Sequence, residues 1–326
     1  MAGRPGDPPT EVADQVKALL DSRLLLVTGK GGTGKTTFSA ALAVVAAARG
    51  RRVLLAEIDS QRPAFTPVFG REPGFTPSRL RDGLDVCNLT WQSALTSFLT
   101  GLVPSRRVVG MILQNKIVSR FLDFTPGSRE IVTLSALVDH VGKYDLVVAD
   151  LPASGHAFSL LDVTRSALGL FRSGPVRTRA GELRDALQAP TTRIALVGLP
   201  EDMVVNETLE TRDRLANADL LSGPPCVFLN RATLPTLTAE ERELIRRLGA
   251  EPLDPLQAEF VRAGRWEDDL EQGTADASNR MTTALGHPPL LVPPAPPGGT
   301  PRQVVESVAA HLGRSVGLTR RELQWG

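Results

Sequence analysis

An α/β fold with a mostly parallel central sheet and helices on both faces is the architecture this sequence predicts. Three observations predict it. Short apolar runs of strand length alternate with longer helical segments. Two of these runs, Leu24–Thr28 and Arg52–Asp59, flank the alanine-rich segment Phe38–Arg49, and a strand–helix–strand unit of that length makes its strands parallel. The runs ending at Asp59 and Asp150 each finish in a carboxylate, at the end of the strand where open α/β sheets bind ligands. A chain of 326 residues has room for two average domains or one large one. No internal repeat is present, so we expect a tail and short helix over 1–21, then a single domain over 22–326 with a helical insertion over 91–142.

Taken in order, residues 1–10 read as a flexible tail. Glu11–Asp21, with Val12, Val16, Leu19 and Leu20 on one face, reads as a helix. Leu24–Thr28 is a buried strand, and the Phe38–Arg49 helix stops at Gly50. After the Arg52–Asp59 strand, Ser60–Gly83 is rich in Pro, Gly and Arg and reads as a long functional loop. Leu84–Leu89 is a third strand. Trp91–Leu122 is broken helical sequence whose apolar residues (Leu95, Phe98, Leu99, Leu102, then Val108, Val109, Ile112, Leu113) favour core-facing helices over a ligand groove. Phe124–Gly127 is a turn, and Ser128–Val141 a helix with Ser128 as its N-cap. Tyr144–Asp150, Thr192–Val197, Pro225–Asn230 and Leu290–Val292 are further strands. Val204–Leu221, Glu240–Leu248, Trp266–Leu285 and Arg302–Leu312 are further helices, and Pro293–Pro301 is a proline- and glycine-rich loop.

Between the first strand and its helix stands Gly29-Lys30-Gly31-Gly32-Thr33-Gly34-Lys35-Thr36-Thr37, which fits the pattern G-x-x-x-x-G-K-[ST] in its required strand–loop–helix context. Glycines let successive backbone N–H groups turn inward around anionic oxygens, and the helix N-terminus adds positive potential. These residues are expected to hold a nucleoside triphosphate, with Lys35 on the β- and γ-phosphates and the Thr36 hydroxyl on Mg²⁺. Asp150, ending a strand beside the loop strand, takes the Walker B role of holding the same Mg²⁺. The bland alternative, a glycine-rich turn without a ligand, does not account for the flanking strand and helix.

Composition removes several classes. With 42% hydrophobic and 22% charged residues the chain is ordinary for a globular protein, not a disordered one. The net charge of +1 offers no field for nucleic acid, so no nucleic-acid partner is expected. The two cysteines, Cys87 and Cys226, lie far apart in apolar runs and support neither a disulfide scaffold nor a zinc site. Met1–Pro9 has no apolar signal core and no run reaches membrane-spanning length, which makes the expected location cytoplasmic.

Lys30 is the more informative residue of the loop, because an ordinary phosphate loop needs no lysine directly after its first glycine. The segment resembles the "deviant Walker A" loop of the MinD/ParA/ArsA group of P-loop NTPases. In that group the additional lysine reaches across a dimer interface to the partner's nucleotide. The resemblance implies ATP and Mg²⁺ as cofactors, catalytic roles for Lys30 and Lys35, and a nucleotide-sandwich dimer: a homodimer, or a heterodimer with a paralogous ATPase. Tyr144–Leu161 looks like the ArsA-type aspartate strand followed by a Pro-[small]-[Thr/Ser]-Gly-His turn. There Gly155 supplies a γ-phosphate-sensing N–H, and His156 is either a switch residue or a packed histidine holding the turn. Asp59 falls at the family's switch I aspartate, which implies that it orients the attacking water beside the metal. The sequence departs from the family at this point: the commoner Asp-Pro-Ala is Asp59-Ser60-Gln61-Arg62, and Glu57, on the same face, competes for the role. Leu199–Thr208 looks like the family's Pro-Glu…Glu-Thr segment. Asn230 stands where the family hydrogen-bonds adenine, and Pro293 and Pro294 lie in the loop that covers it. The resemblance spans roughly residues 22–313, and the Phe124–Glu130 run and Gly174-Pro175 are most like the bacterial anion-transporting ATPase subgroup.

The functions open to this chain are fewer than those of the family. Two separated cysteines make a poor arsenite site. A tail-anchor targeting factor with a zinc clasp needs C-x-x-C and a methionine-rich groove, and this chain has no such motif and four Met. An iron–sulfur reductase needs cysteines at other places. The expectation is a slow Mg·ATP-hydrolysing dimeric switch whose closure controls an unidentified protein or membrane-associated client. A non-hydrolysing or partner-activated subunit of a heterodimer is the competing class, and a small-molecule kinase a third.

Overall fold

The computed structural model describes residues 10–60, 63–103, 105–114, 127–218, 220–250 and 252–324. Residues 1–9 of the tail expected over 1–10, the 115–122 part of the helical insertion and the Phe124–Pro126 part of the expected turn lie outside the described residues, and Thr10 opens a helix instead of ending the tail.

Among the described residues, eight strands form one sheet in the order β3-β4-β2-β5-β1-β6-β7-β8. They are β1 (Leu24–Thr28), β2 (Val53–Ile58), β3 (Ser78–Arg81), β4 (Leu84–Leu89), β5 (Leu146–Asp150), β6 (Thr192–Gly198), β7 (Cys226–Asn230) and β8 (Leu290–Val292). Every neighbouring pair is parallel except β3, which runs antiparallel along β4 at the sheet's edge. The inner strands β1, β2 and β5 are covered on both faces, and this is why they read as continuous apolar runs rather than alternating ones.

The helices are α1 (Thr10–Leu20), α2 (Lys35–Ala48), α3 (Thr66–Phe69), α4 (Trp91–Leu102), α5 (Arg106–Gln114), α6 (Ser128–Val141), α7 (Ser154–Leu170), α8 (Pro175–Gln188), α9 (Asp202–Asn217), α10 (Ala239–Leu248), α11 (Pro255–Leu285), α12 (Pro301–Ser315) and α13 (Arg320–Leu323). One face of the sheet buries α1, α2, α12 and α13 in a single apolar cluster. There α2 is buried continuously from Phe38 to Ala47, its alanines allowing a close approach to the strands. The other face carries α4, α6, α7, α8, α9 and α11 over a second cluster. Among the described residues no helix is long and apolar enough to cross a membrane.

The elements differ from the sequence expectations in specific places. Gly127, at φ 83°, is the N-cap of α6, so Ser128 opens that helix instead of capping it. The segment expected to be one long loop contains α3 and the edge strand β3, whose Arg-rich, half-exposed sequence carries no strand alternation. Helices α7 and α8 occupy sequence for which the apolar pattern predicts no element. Helix α11 begins at Pro255, eleven residues before the expected start, with Asp254 and Gln257 forming a capping box.

Candidate functional site

Strand β1 lies between β5 and β6, and successive crossovers leave it in opposite directions along the sheet, which opens a crevice at its C-terminal end. The loop after β1 fills that crevice. Gly29 has φ 150°, and a Cβ there would lie 2.2 Å from the Val197 carbonyl oxygen. Gly34 has φ 92°, with a Cβ placed 2.6 Å from Asn230 Nδ2. Only glycine fits either position. On the outer side, Gly31 and Gly32 are exposed and their Cβ positions meet open space, so the curled backbone presents itself to a ligand there. Thr33 Oγ1 and Lys35 Nζ both donate to the Lys30 carbonyl, each at 2.9 Å. Burial lowers the Lys35 pKa and the Asp150 charge opposes it. Thr37 is half-buried on the first turn of α2.

Below the loop, the Asp150 carboxylate accepts bonds from Thr36 Oγ1 at 2.7 Å and Ser39 Oγ at 2.9 Å. Burial pushes its carboxyl up to about 6, against the pull of those hydroxyls and Lys35. The register of β4, β2 and β5 sets Asn88, Glu57 and Asp150 in one row. Glu57 is 2% exposed. Its Oε1 accepts the Ala64 N–H at 2.5 Å, while Oε2 finds no partner among the described residues. Burial pushes Glu57 up to about 7, against the backbone N–H of Ala64 and with the help of the Asp150 charge. Asn88 donates to the Ser60 carbonyl at 2.9 Å and leaves Oδ1 without a partner among the described residues. The Thr36 hydroxyl, the Asp150 carboxylate and the unpartnered Glu57 Oε2 are all hard oxygen donors of the kind that suits Mg²⁺.

Asp59 is placed elsewhere. It is exposed, holds φ 52°, and accepts the Trp91 backbone N–H at 3.1 Å, closing the N-terminus of α4. The Arg129 guanidinium lies 4.4 Å over the Trp91 ring, which joins the start of α6 to the same point.

The segment after β5 is tied to the loop. Thr28 Oγ1 donates to the Pro152 carbonyl at 2.9 Å, and the Ser154 N–H to the Gly29 carbonyl at 3.0 Å. Gly155 and His156 are exposed on the first turn of α7, so His156 does not pack to hold the turn. Glu207 on α9 accepts Ser154 Oγ at 2.9 Å and pairs with Lys30 Nζ at 3.2 Å. Asn230 is buried at the end of β7, its Nδ2 donating to the Thr33 carbonyl at 2.8 Å. It stands level with Val292 of β8, and the Ala232 N–H donates to the Val292 carbonyl at 2.9 Å, which sets Pro293 and Pro294 beside that strand end.

The structure thus gathers the loop residues, Thr36, Asp150, Glu57, Asn230 and the prolines at one end of the sheet, and leaves Asp59 on α4. Ser39, Asn88 and Glu207 join the site beyond the residues that the motifs mark. Ser39 is legible in the sequence, since it lies one helical turn after Lys35 and on its face. Glu207 stands within the Pro-Glu…Glu-Thr resemblance without an assigned partner, and nothing in the sequence marks Asn88.

Comparison with known proteins agrees with this geometry. The profile of the anion-transporting ATPase family matches residues 22–173. ATPase BagA of Mycobacterium tuberculosis is 29% identical over 279 residues, covering 81% of this chain and 79% of BagA. An uncharacterized protein of Streptomyces coelicolor is 28% identical over 67% of this chain and 54% of its own length. ATPase ASNA1 homolog 1 of Paramecium tetraurelia is 25% identical over 47% of each chain. The phosphate-loop motif with its additional lysine at the sheet's switch point, the aspartate strand beside it and these relatives together make the chain similar, over residues 22–173, to the anion-transporting ATPase family.

Proposed function

We propose that this ATPase is a dimeric switch, in which ATP closes two chains on each other and hydrolysis reopens them. The observation that carries the reading is the placement of Lys30. Its ammonium is not turned into its own loop but rests on Glu207, which also holds the first turn of α7 through Ser154. A lysine held at the rim, on a carboxylate tied to the γ-phosphate-sensing segment, can pass to a partner's nucleotide when that segment moves. In the bound state Lys35 leaves the Lys30 carbonyl for the β- and γ-phosphates, and the loop N–H groups surround them. Thr36 and Asp150 would hold Mg²⁺, which supplies charge neutralisation of the phosphates. Asp59 leaves Trp91 to orient the attacking water, with Glu57 beneath it as the other candidate for that role. Asn230, Pro293 and Pro294 frame the adenine. The client is a protein or membrane-associated partner that reads the open and closed forms.

The test is ATP turnover by the pure chain as a function of its concentration, with mass measured by light scattering with and without Mg·ATP. Turnover per chain that rises with concentration, an ATP-induced dimer, and loss of both in Lys30→Ala are expected. Unchanged turnover in Lys30→Ala overturns the sandwich.

A second reading has one observation in its favour. Asp59 is committed to α4 at a positive φ and is followed by Ser60-Gln61-Arg62 in place of the commoner family run. This suits a subunit that binds ATP and turns over only when paired with a paralogous ATPase. Binding without turnover or self-association, then turnover on mixing with a paralogue, would select it.

A further inference from the structure

Helix α11 carries one stripe along most of its length, and only half of that stripe is covered. Positions 256, 260, 263, 267, 270, 274, 277 and 281 recur at steps of four and three residues, the spacing that seats one helix against another. All but Glu267 and Thr274 are apolar. In the C-terminal half, Thr274 Oγ1 accepts the Thr233 N–H at 3.0 Å, and Ala277 and Met281 belong to the second apolar cluster. In the N-terminal half, Leu256 is 77% exposed, Phe260 64% and Leu270 37%. Helix α10 leaves them uncovered because it packs on another face of α11. Its Ile245 meets Gly264, where a Cβ would lie 2.8 Å from the isoleucine Cδ1, and its Arg242 bonds Asp268 at 2.8 Å. Between the two helices runs a groove of about 820 Å³, in which Leu244, Leu248 and Leu253 continue the apolar surface of Leu256 and Phe260.

Charge selects the occupant. Residues 239–270 hold nine acidic and five basic residues, a net charge of −4, while the rest of the chain carries +5. Glu267 stands in the stripe and Glu259 one turn from both Leu256 and Ala263, and neither has an ion pair among the described residues. The unpaired cations lie to the sides. Arg262 and Arg265 line a separate hollow with Gly249 and Asp269, and Arg247 lines the groove opposite Phe260. A second copy would set the same carboxylates against each other, and the acidic surplus repels an anionic bilayer. We propose that this face docks an amphipathic helix of a protein partner, whose aliphatic stripe seats on Leu256, Phe260 and Leu270 and whose lysines or arginines meet Glu259 and Glu267. Docking here needs neither nucleotide nor a dimer, so it stands apart from the switch.

The test titrates the full chain, without nucleotide, into a fluorescently labelled helical peptide of leucines and lysines in heptad spacing, and follows anisotropy. Saturable binding is expected, with the same peptide carrying glutamate in place of lysine at least about tenfold weaker. Leu256→Ser together with Phe260→Ser, both at exposed positions, should weaken binding at least about tenfold, with the melting transition retained as the check on folding. Glu259→Gln together with Glu267→Gln should weaken it about threefold or more and lessen its dependence on salt. Absence of saturable binding, or unchanged affinity in the doubly serine-substituted chain, overturns the surface. Equal binding of the glutamate peptide overturns the assigned charge. Self-association of the nucleotide-free chain, or its binding to phosphatidylglycerol vesicles, that is lost in the serine-substituted chain gives the face to a second copy or to a membrane and overturns the helical partner.

Discussion

The two faces of the sheet are held by different physics. Where α2 and α12 meet over β7 and β8 the contact is Ala, Val, Leu and Phe, with the Phe38 and Phe228 rings 4.5 Å apart. The opposite face is stitched by polar anchors laid over its apolar cluster. Glu271 of α11 accepts the Thr236 N–H, the Thr236 hydroxyl, the Leu237 N–H and the Arg242 guanidinium. Arg280 joins Asp202 and Asn206, Glu207 joins Lys30 and Ser154, and Arg179 joins Asp139. A dry, close-packed contact has one low-energy arrangement and resists sliding. Glu271 is buried, but the Arg280–Asp202, Lys30–Glu207 and Arg179–Asp139 pairs lie at partly exposed positions, where ion pairs exchange partners with small net cost. The phosphate loop is thus mounted on the face that stays, and the segments expected to respond to nucleotide lie on the face that can re-pair.

The comparison is sharpened most by removing one side chain from each face. Phe228→Ala should destabilise the fold by about 3–5 kcal/mol, the cost of an aromatic cavity in a packed core. Arg280→Ala, which removes the partly exposed anchor to Asp202 and Asn206 on the opposite face, should stay within about 1 kcal/mol. Denaturant midpoints measure both, and equal losses would erase the distinction. Next comes Lys35→Ala, which leaves the dry face intact but removes the cation expected on phosphate. Losing one partner of a desolvated charge contact costs about 2–5 kcal/mol, so ATP affinity should fall on the order of 100-fold or more. Tight ATP binding by a folded Lys35→Ala chain would remove the assignment.

Glu271 supplies a pH test of the stitched face. Burial alone would raise its pKa, but the bonds from Thr236, Leu237 and Arg242 hold it down at about 2, below its usual 4.5. Its folded-state pKa is depressed, so its contribution to stability is complete above 4.5 and is lost as pH falls toward 2. Glu271→Gln should flatten the acid limb of the melting temperature over that window, and an unchanged acid limb would mean the anchor carries no net stability. The smallest effect on stability belongs to Glu207→Gln. It keeps a bond to Ser154, removes the charge facing Lys30, and should shift stability by less than about 1 kcal/mol. The ATP concentration that half-saturates dimer formation should nonetheless fall, because Lys30 is released. A rise in that concentration would show that Glu207 helps closure.

Much of the fold is readable from the sequence because its strongest signals are local. The phosphate loop, the β1–α2–β2 unit and the strand ending at Asp150 are set by glycine spacing, apolar runs and a short crossover, and each lies where the sequence puts it. The starts of α10, α11 and α12 carry capping boxes that are legible once sought. The unreadable parts depend on distant partners. Helices α7 and α8 are half-exposed, and their burial is decided by α6 and α9. Strand β3 exists because β4 offers an edge. The preference of Asp59 for the Trp91 N–H has no local signal, since it pairs residues at two different strands' ends across a positive φ.

The Asp59–Trp91 contact has a practical consequence. Trp91 sits at the first residue of α4, under the Arg129 guanidinium and on the N–H that Asp59 holds. Trp266, 65% exposed on α11, is far along the chain from that contact. A change in the grip of Asp59 alters the electric field around one indole, so the chain carries a native optical reporter. The emission of a chain carrying Trp266→Phe and Trp325→Phe, followed in a stopped-flow mixer with Mg·ATP, tests whether Asp59 releases α4 without any added label.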